Sequence, residues 1–198
     1  MSDPNESEEG YQPRLIENKA DQFVVLSGCS GGGKSSLLAE LGRRGFPVFE
    51  EPGRQIVKEQ AYIGGDAFPW QNPGKFLELC IYRAVHQMIS AARSNQRSFF
   101  DRGIVDAFCG LEHMNQPVPE HLATAARKCR YHRKVFFMPP WREIFHNDDE
   151  RRHSFDDGVA EYSRLLVTYL RLGYEVVEAP KLDIAARADF IIDRISAS

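Results

Sequence analysis

Phe23-Val-Val-Leu-Ser-Gly-Cys-Ser-Gly-Gly-Gly-Lys-Ser-Ser36 is the stretch that decides the fold of this chain. It opens with an apolar, β-branched run typical of a buried strand, passes through a glycine-rich turn, and ends where apolar residues take on helical spacing. Gly28, followed by four residues and then by Gly33, Lys34 and Ser35, fits the phosphate-binding-loop pattern. The strand, the turn and the helix that this pattern requires are all indicated by the sequence.

The residue types of this loop suit a nucleoside triphosphate. Glycines let backbone N–H groups approach phosphate oxygens, and the following helix directs its free N–H groups toward the anion. Lys34 would place its charge on the β- and γ-phosphates, and the Ser35 hydroxyl would ligate Mg²⁺. The alternative is a glycine-rich turn with an incidental lysine. We predict that ATP and Mg²⁺ bind at Gly28, Cys29, Ser30, Gly31, Gly32, Gly33, Lys34, Ser35 and Ser36.

Composition bounds the class of protein. The chain has 198 residues, of which 42% are hydrophobic and 27% are charged, as is ordinary for one domain with its own core. Residues 1–20 are polar and interrupted by prolines, so we predict a mobile tail there and a single domain over 21–198. The formal net charge of −3 gives no overall attraction to nucleic acid or to an anionic membrane.

Cysteine usage and hydropathy indicate the compartment. The four cysteines form no C-x-x-C pair, which is typical of reduced thiols rather than of a disulfide framework or a zinc site. They are Cys29, Cys80, Cys109 and Cys129. Neither a secretory signal nor a membrane-spanning run is recognisable, so we expect a cytoplasmic protein without a membrane partner. The oligomeric state stays open, and a homodimer is one option.

Five short apolar runs alternate with segments of helical spacing. This alternation predicts an α/β protein, a three-layer α/β/α arrangement with a five-stranded parallel sheet. In such a sheet, ligands bind outside the carboxyl ends of the strands. The chemistry is therefore expected after the strands predicted at residues 23–27, 47–51, 98–101, 134–138 and 174–178.

Two charged residues end the third predicted strand. A carboxylate at Asp101, after an apolar run, is costly to bury without a partner, and beside a phosphate loop its natural partner is hydrated Mg²⁺. The alternative for Asp101 is a cap on the next helix. Arg102 could bind a phosphate or position the acceptor, and its alternative is a structural ion pair.

A carboxylate also follows the second strand. Glu51 precedes Pro52 and could accept a proton from an acceptor hydroxyl, although it could equally be an acid at a helix N-terminus. Phe68 and Trp70 lie in the irregular segment beyond the next helix. These rings could stack on a planar substrate or pack in the core.

A charged segment after the fourth strand, residues 141–153, is predicted to be a lid. Mobile segments that carry arginines close over phosphates, stabilise transferring charge and exclude water. Arg151 and Arg152 are the candidates, with Arg142 behind them. The alternative is a solvated, self-paired run of charges.

Four stretches together resemble a known family. The resemblance is to the predicted P-loop ATPases, an AAA-like family related to the ribosylnicotinamide kinase domain of bacterial NAD-biosynthesis regulators. It covers nearly the whole chain after residue 20, and it assigns no acceptor substrate. The stretches that carry it are residues 23–36, Phe49-Glu-Glu-Pro-Gly-Arg-Gln-Ile-Val57, Phe99-Phe-Asp-Arg-Gly103 and Phe136-Phe-Met-Pro-Pro-Trp141.

The wider group looks like nucleoside and nucleotide kinases. In deoxynucleoside kinases an acidic residue before proline ends the second strand, and an Asp/Glu-Arg-Ser motif ends the third. Glu51-Pro52 and Asp101-Arg102 match these motifs, whereas Gly103 replaces the serine. The lid arginines of those kinases are spaced more regularly than here, which makes Arg151 a weaker match than Lys34.

We therefore predict a kinase that moves the γ-phosphoryl group of Mg·ATP to a hydroxyl of a small acceptor. Lys34, Asp101, Arg102, Glu51 and Arg151 are its predicted catalytic residues, with Ser35 and Asp101 at the metal. A regulatory NTPase without a small acceptor is the first alternative, and a nucleotide-binding module without catalysis is the second. A GTPase is disfavoured because Gly103 comes one residue too early for a D-x-x-G motif beginning at Asp101.

Overall fold

A computed structural model of the chain describes residues 11–145 and 154–196. Its strands are β1 (Phe23–Gly28), β2 (Val48–Phe49), β3 (Ser98–Asp101), β4 (Lys134–Met138) and β5 (Glu175–Glu178). Its helices are α1 (Lys34–Arg43), α2 (Pro52–Ile63), α3 (Pro73–Ala91), α4 (Ile104–His113), α5 (Glu120–Lys128), α6 (Phe155–Arg171) and α7 (Ile184–Ser196). Three short 3₁₀ segments lie at Pro13–Ile16, Ala20–Gln22 and Arg142–Ile144.

The five strands form one parallel sheet in the order β2-β3-β1-β4-β5. Apolar side chains of β1 alternate between two cores, so the whole strand is buried. Phe23 and Val25 pack with α3, α4 and α6, whereas Val24 and Leu26 pack with α1 and α7. The predicted three-layer α/β/α fold is confirmed, because helices cover both faces of the sheet.

Strand pairing decides what meets the phosphate loop. β1 lies between β3 and β4, and Leu26 pairs with Asp101 at the end of β3. The carboxyl end of β3 therefore lies beside the loop that follows β1. This places Asp101 where the third strand was predicted to contribute chemistry.

The second strand is shorter than the predicted 47–51. β2 is an edge strand that pairs with β3 only through Val48 and Phe49. In this register Glu50 would lie opposite Asp101, but the pairing ends at Phe49, and the Glu50 carbonyl accepts a hydrogen bond of 2.9 Å from the Gln87 side chain. Glu51 instead becomes the N-cap of α2, with Pro52 in the first turn, where its missing N–H costs no helical hydrogen bond.

The segment before β1 contacts the domain. Leu15 and Ile16 pack against the core, and the Lys19 ammonium donates a hydrogen bond to the Ala92 carbonyl at 2.5 Å. The predicted boundary at residue 20 falls within this docked stretch. The division into tail and domain stays a prediction, and residues 1–10 lie outside the described part of the chain. None of the described helices has both the length and the apolar character needed to cross a bilayer.

Candidate active site

The phosphate loop needs glycine for two reasons, which are positive φ angles and a close approach to the neighbouring strand. Gly28, Gly31 and Gly33 have positive φ angles of 98°, 76° and 80°, which other residues rarely adopt. A Cβ atom at Gly28 would also lie 2.6 Å from the Met138 carbonyl oxygen of the neighbouring strand. The loop can therefore hold this shape only with glycine at these positions.

Lys34 lies folded over the loop. Its ammonium is buried and donates hydrogen bonds to the carbonyls of Cys29 at 2.8 Å and Gly28 at 3.5 Å. Burial, followed by the nearby charge of Arg102, lowers the pKa of Lys34 below its ordinary value of 10.5. A bound phosphate would raise the pKa of Lys34 again, because its negative charge stabilises the protonated ammonium.

The Ser35 hydroxyl donates a hydrogen bond of 3.0 Å to Oδ2 of Asp101. Asp101 is 2% exposed, and its other oxygen, Oδ1, has no hydrogen-bond partner among the described residues. Burial raises the pKa of Asp101 above its ordinary value of 3.8, and Glu51 adds to the rise, although Lys34 and Arg102 oppose it. One orphaned carboxylate oxygen beside a serine hydroxyl is an all-oxygen set that suits Mg²⁺.

Arg102 is held by carboxylates on three sides. Its guanidinium lies 2.9 Å from Glu161, 3.4 Å from Asp106 and 3.4 Å from Glu51. Burial acts to lower its pKa, but the surrounding carboxylates outweigh burial and raise it well above its ordinary value. These contacts match the structural ion pair that the sequence left as the alternative, while a contact with phosphate stays a prediction.

Asp106 is a site residue that sequence reasoning missed. Its carboxylate accepts hydrogen bonds from the Ser27 hydroxyl at 2.6 Å, the Tyr169 hydroxyl at 2.6 Å and the Gly103 amide at 2.9 Å. It thereby ties β1, α6 and the start of α4 to Arg102. An acid three residues after a helix N-cap was the one available signal, and it indicates capping rather than this network.

Glu51 lies at the start of a helix, which is one of its two predicted alternatives, while its role as a proton acceptor stays a prediction. It is the N-cap residue of α2, but its side chain makes no capping hydrogen bond. The carboxylate lies 3.4 Å from both Arg54 and Arg102, so both contacts are at the long end of an ion pair. Its side chain is 22% exposed and lines a cavity, which leaves oxygen lone pairs available to a hydroxyl.

A cavity of about 480 Å³ opens beside the phosphate loop. It lies between α2, α3, α4 and α6, and its lining runs from Ser30 in the loop to Glu51 and Arg102. Trp70 lines it and is 59% exposed, whereas Phe68 stacks on Trp70 with ring centroids 5.1 Å apart and is not part of the lining. Of the two predicted stacking rings, Trp70 is the one that borders the cavity.

Arg187 on α7 is a second residue that the sequence did not indicate. It is 2% exposed and donates a hydrogen bond of 2.9 Å to the Gly32 carbonyl, 155 residues earlier in the chain. Burial lowers the pKa of this guanidinium, and its Nε atom has no hydrogen-bond partner in the described residues. Arg187 therefore contacts the phosphate loop as a buried cation close to the predicted phosphate site.

The predicted lid is described only at its start. Arg151 and Arg152 lie outside the described residues, so their role stays a prediction. Phe145 contacts the phosphate loop, since a Cβ atom at Gly31 would lie 2.5 Å from its ring. Arg142 has its guanidinium 4.5 Å from the centre of an aromatic ring on α6.

All four cysteines lie in the described part of the chain, and the structure joins none of them in a disulfide. Within residues 11–145 and 154–196, no cluster of three or more His, Cys, Asp or Glu side chains could hold a metal ion. A metal at Ser35 and Asp101 would therefore need further oxygen ligands from a nucleotide or from water.

Most of this chain matches a known protein family. The sequence profile of an AAA domain family matches residues 23–187, from the start of β1 into α7. The chain belongs to this AAA domain family. The match includes the phosphate loop, Asp101 and Arg187, and it agrees with the P-loop ATPase resemblance read from the sequence. No curated protein matches the sequence.

Solved structures with similar folds include two named kinases and the NadR protein. A deoxyadenosine kinase from M. mycoides is 16% identical with a TM-score of 0.55, over 89% of this chain and 100% of the kinase. The NadR protein in complex with NR is 14% identical with a TM-score of 0.66, over 93% of this chain and 52% of NadR. A thymidylate kinase from Ehrlichia chaffeensis is 13% identical with a TM-score of 0.55, over 89% and 99%. At these identities the likeness shows a nucleoside- and nucleotide-kinase-like fold.

Proposed function

We propose that this AAA domain protein is a kinase that transfers the γ-phosphoryl group of Mg·ATP to a hydroxyl of a small acceptor. The observation that carries the proposal is the cavity of about 480 Å³ that shares Ser30 with the phosphate loop and has Glu51 in its wall. An NTPase that only hydrolyses its nucleotide needs room for one water, whereas this cavity has room for a small molecule. The names of the similar solved structures, which include deoxyadenosine kinase and thymidylate kinase, support the same class of reaction.

In this proposal the phosphate loop binds the phosphoryl donor. Its backbone N–H groups and the N-terminus of α1 bind the phosphates, and the Lys34 ammonium turns from the loop carbonyls to the β- and γ-phosphate oxygens. Ser35 and Asp101 would hold Mg²⁺, Asp101 through a water. When bound, the ion neutralises charge on the β- and γ-phosphates.

In this proposal the residues of the cavity wall bind and deprotonate the acceptor. Glu51 accepts a hydrogen bond from the acceptor hydroxyl and takes its proton as the oxygen attacks phosphorus. Arg102, fixed by its three carboxylates, holds Glu51 in place from 3.4 Å away. Arg151 is proposed to close over the γ-phosphate from the lid, outside the described residues.

A turnover screen tests the proposal. Purified protein is incubated with Mg·ATP and a panel of nucleosides, nucleoside monophosphates and vitamin precursors, and both ADP and phosphorylated acceptor are measured. We expect at least one acceptor to raise ADP release well above the rate with water alone. The Lys34→Met variant should lower that turnover by at least about 100-fold, because it removes a charge that stabilises the transition state. Lys128→Met, on the exposed surface of α5, is the matched control and should keep full activity.

Two outcomes would contradict the proposal. If no acceptor raises ADP release above the water rate, the acceptor-dependent reaction is excluded and slow hydrolysis favours a regulatory NTPase. If Mg·ATP binds and is not turned over at all, the protein is a nucleotide-binding module.

A further inference from the structure

The cavity extends away from the phosphate loop along α4 and α6, and both helices begin near the loop. A Cβ atom at Gly158, in the first turn of α6, would lie 3.1 Å from the Cys29 sulfur in the loop. Arg164 follows six residues later on α6, and His113 ends α4 seven residues after Asp106. At a rise of about 1.5 Å per residue, these two residues lie about 10 Å farther from the loop than Gly158 and Asp106 do. Arg164 and His113 both line the cavity, and we call them its basic end.

Arg164 has no counter-ion among the residues that the structure describes. Its side chain is half-buried and lines the cavity, and it makes no hydrogen bond or ion pair with any of those residues. The carboxylates on adjacent turns of α4 and α6 are paired with other cations, Glu161 with Arg102 at 2.9 Å and Glu112 with Arg171. A guanidinium that is partly removed from water without an anion is unfavourable, so this position favours a ligand that supplies one.

The surroundings of Cys109 show where the Arg164 charge lies. Burial raises the pKa of the Cys109 thiol, which lines the same cavity, while the positive charge of Arg164 acts to lower it. The guanidinium is therefore near the wall that Cys109 forms. His113 lies one helical turn beyond Cys109 on α4, and its imidazole can donate a hydrogen bond. The basic end thus offers an arginine fork and a second donor to an anion.

The other end of the cavity has the opposite character. Glu51 and Glu161 line it beside the phosphate loop, whereas the wall is apolar in the middle of α4, where Leu77 lies against Gly110. A ligand with a hydroxyl at one end and an acidic group at the other matches this order of charges. Its hydroxyl would donate to Glu51 and its anion would reach Arg164. The reverse orientation would bring the anion to the carboxylates, which repel it.

We propose that the basic end binds an acidic group of the acceptor, a carboxylate or a phosphate ester, at the end of the molecule opposite to the hydroxyl that is phosphorylated. This inference rests on the proposed kinase function and narrows its acceptors to acid-bearing alcohols. In the reaction, the acceptor oxygen forms a bond to the γ-phosphorus while the bond from phosphorus to the bridging oxygen of ADP breaks. ADP leaves with that electron pair, and the hydroxyl proton passes to Glu51 and then to solvent. The acidic group takes no part in bond formation and orients the acceptor.

Matched pairs of acceptors test the inference. In one arm, ring-bearing hydroxy acids are each assayed with Mg·ATP beside their own primary amides, and kcat/KM is measured for both. In the other arm, nucleosides are assayed beside their 3′-monophosphates, which keep the 5′-hydroxyl free. We expect the acidic member of an active pair to be preferred about 10- to 100-fold, as for a hydrogen bond between two charged groups. The arm in which the preference appears tells a carboxylate from a phosphate ester.

Variants of Arg164 test which residue causes the preference. Arg164→Gln removes the guanidinium and should abolish most of the preference for the acidic member, whereas Arg164→Lys keeps the charge and should retain part of it. The ratio of the two kcat/KM values cancels any overall loss of activity. Arg171→Gln is the matched control and should leave the ratio unchanged, because Arg171 lies two turns farther along α6, pairs with Glu112 and does not line the cavity.

Three outcomes would contradict the inference. Equal use of the two members of every active pair, or a preference for the neutral member, would overturn it and leave the proposed kinase intact. A preference for the acidic member that persists in Arg164→Gln would overturn the assignment of the basic end. If no member of any pair is phosphorylated, the proposed function fails and the inference fails with it.

Discussion

Asp101 is a buried residue of the predicted site whose burial lowers the stability of the folded protein. It lies almost fully out of solvent, with one oxygen bonded to Ser35 and the other without a partner in the described residues. A buried carboxylate with an unpaired oxygen destabilises the folded protein. This is the pattern expected of a residue retained for a ligand, and the ligand that we propose is Mg²⁺ carried in with ATP.

Replacing Asp101 by asparagine should raise the stability of the fold and lower the rate of turnover. Burial raises the pKa of Asp101 above 3.8, so the folded protein holds this proton more tightly than the unfolded chain does. The contribution of Asp101 to stability is therefore fully present below pH 3.8 and is lost as pH rises through the folded-state pKa. Without nucleotide, Asp101→Asn should gain stability relative to wild type as pH rises above 3.8, by about 1–3 kcal/mol once the carboxyl group is ionised. Its Mg·ATP-dependent turnover should fall about 10- to 100-fold.

Urea unfolding of both proteins at several pH values measures the first effect, and initial rates at several Mg²⁺ concentrations measure the second. A stability difference that does not change with pH would contradict the proposed burial of a titrating carboxyl group. Unchanged turnover would remove Asp101 from the metal site.

At the scale of elements, the junction between β3 and α4 explains a departure from the deoxynucleoside-kinase motif. Arg102 has a φ of +64°, and this turn directs its side chain into the three carboxylates. Gly103, where those kinases have serine, packs against a ring on the segment before β4. A Cβ atom there would lie 2.9 Å from Tyr131, whose hydroxyl accepts a hydrogen bond from the Ile104 amide. The bulk of Tyr131 thus takes the space of the missing side chain.

The Gly103→Ser variant should therefore destabilise the protein although it restores the familiar motif. We expect a loss of about 1–3 kcal/mol in the free energy of unfolding, because the added atoms overpack a buried junction. The loss should be smaller when the variant is made in a Tyr131→Ala background, where the ring is gone. Gly74→Ser is the matched control, since a Cβ atom there would be 3.6 Å from its nearest neighbour, Met114. Equal losses in both backgrounds would contradict this account.

At the scale of the whole molecule, the C-terminal helix completes the site that the N-terminal strand begins. Arg187 on α7 reaches the carbonyl of Gly32 and the sulfur of Met138, so α7, the phosphate loop and β4 meet at one guanidinium. Its hydrogen-bond partners in the described chain include no carboxylate. A cation buried in this way costs stability until an anion arrives nearby.

Arg187→Met should consequently weaken nucleotide binding more than it weakens the fold. We expect the Kd for Mg·ATP to rise about 10- to 100-fold, as for the loss of a hydrogen bond from a charged donor. The free energy of unfolding without nucleotide should change by less than about 1 kcal/mol, because the variant also removes the burial cost of the charge. Calorimetric titration and urea unfolding measure the two quantities. Arg194→Met, on the exposed side of the same helix, should change neither. Lost stability with unchanged affinity would make Arg187 a packing residue only.

Local sequence patterns were enough to predict a large part of the fold of this protein. Glycine spacing around Lys34, an apolar run before it and helical spacing after it were enough to predict the phosphate loop, and alternating periodicity was enough to predict five parallel strands. Because ligands of such sheets bind at the carboxyl ends of strands, the sequence also indicated Glu51 and Asp101. The inferences about the fold succeed because backbone conformation and strand burial are decided over a few neighbouring residues, whereas the roles of Glu51 and Asp101 stay predictions.

Tertiary structure alone decided the partners of those residues. Strand order placed β3 beside β1, which brought Asp101 to the Ser35 hydroxyl. Side-chain packing made Arg102 the centre of a carboxylate cluster, assigned Asp106 to its support, and brought Arg187 behind the loop from 155 residues away. No local pattern encodes such contacts, because their energies depend on burial and on charges that come together only when the whole chain has folded.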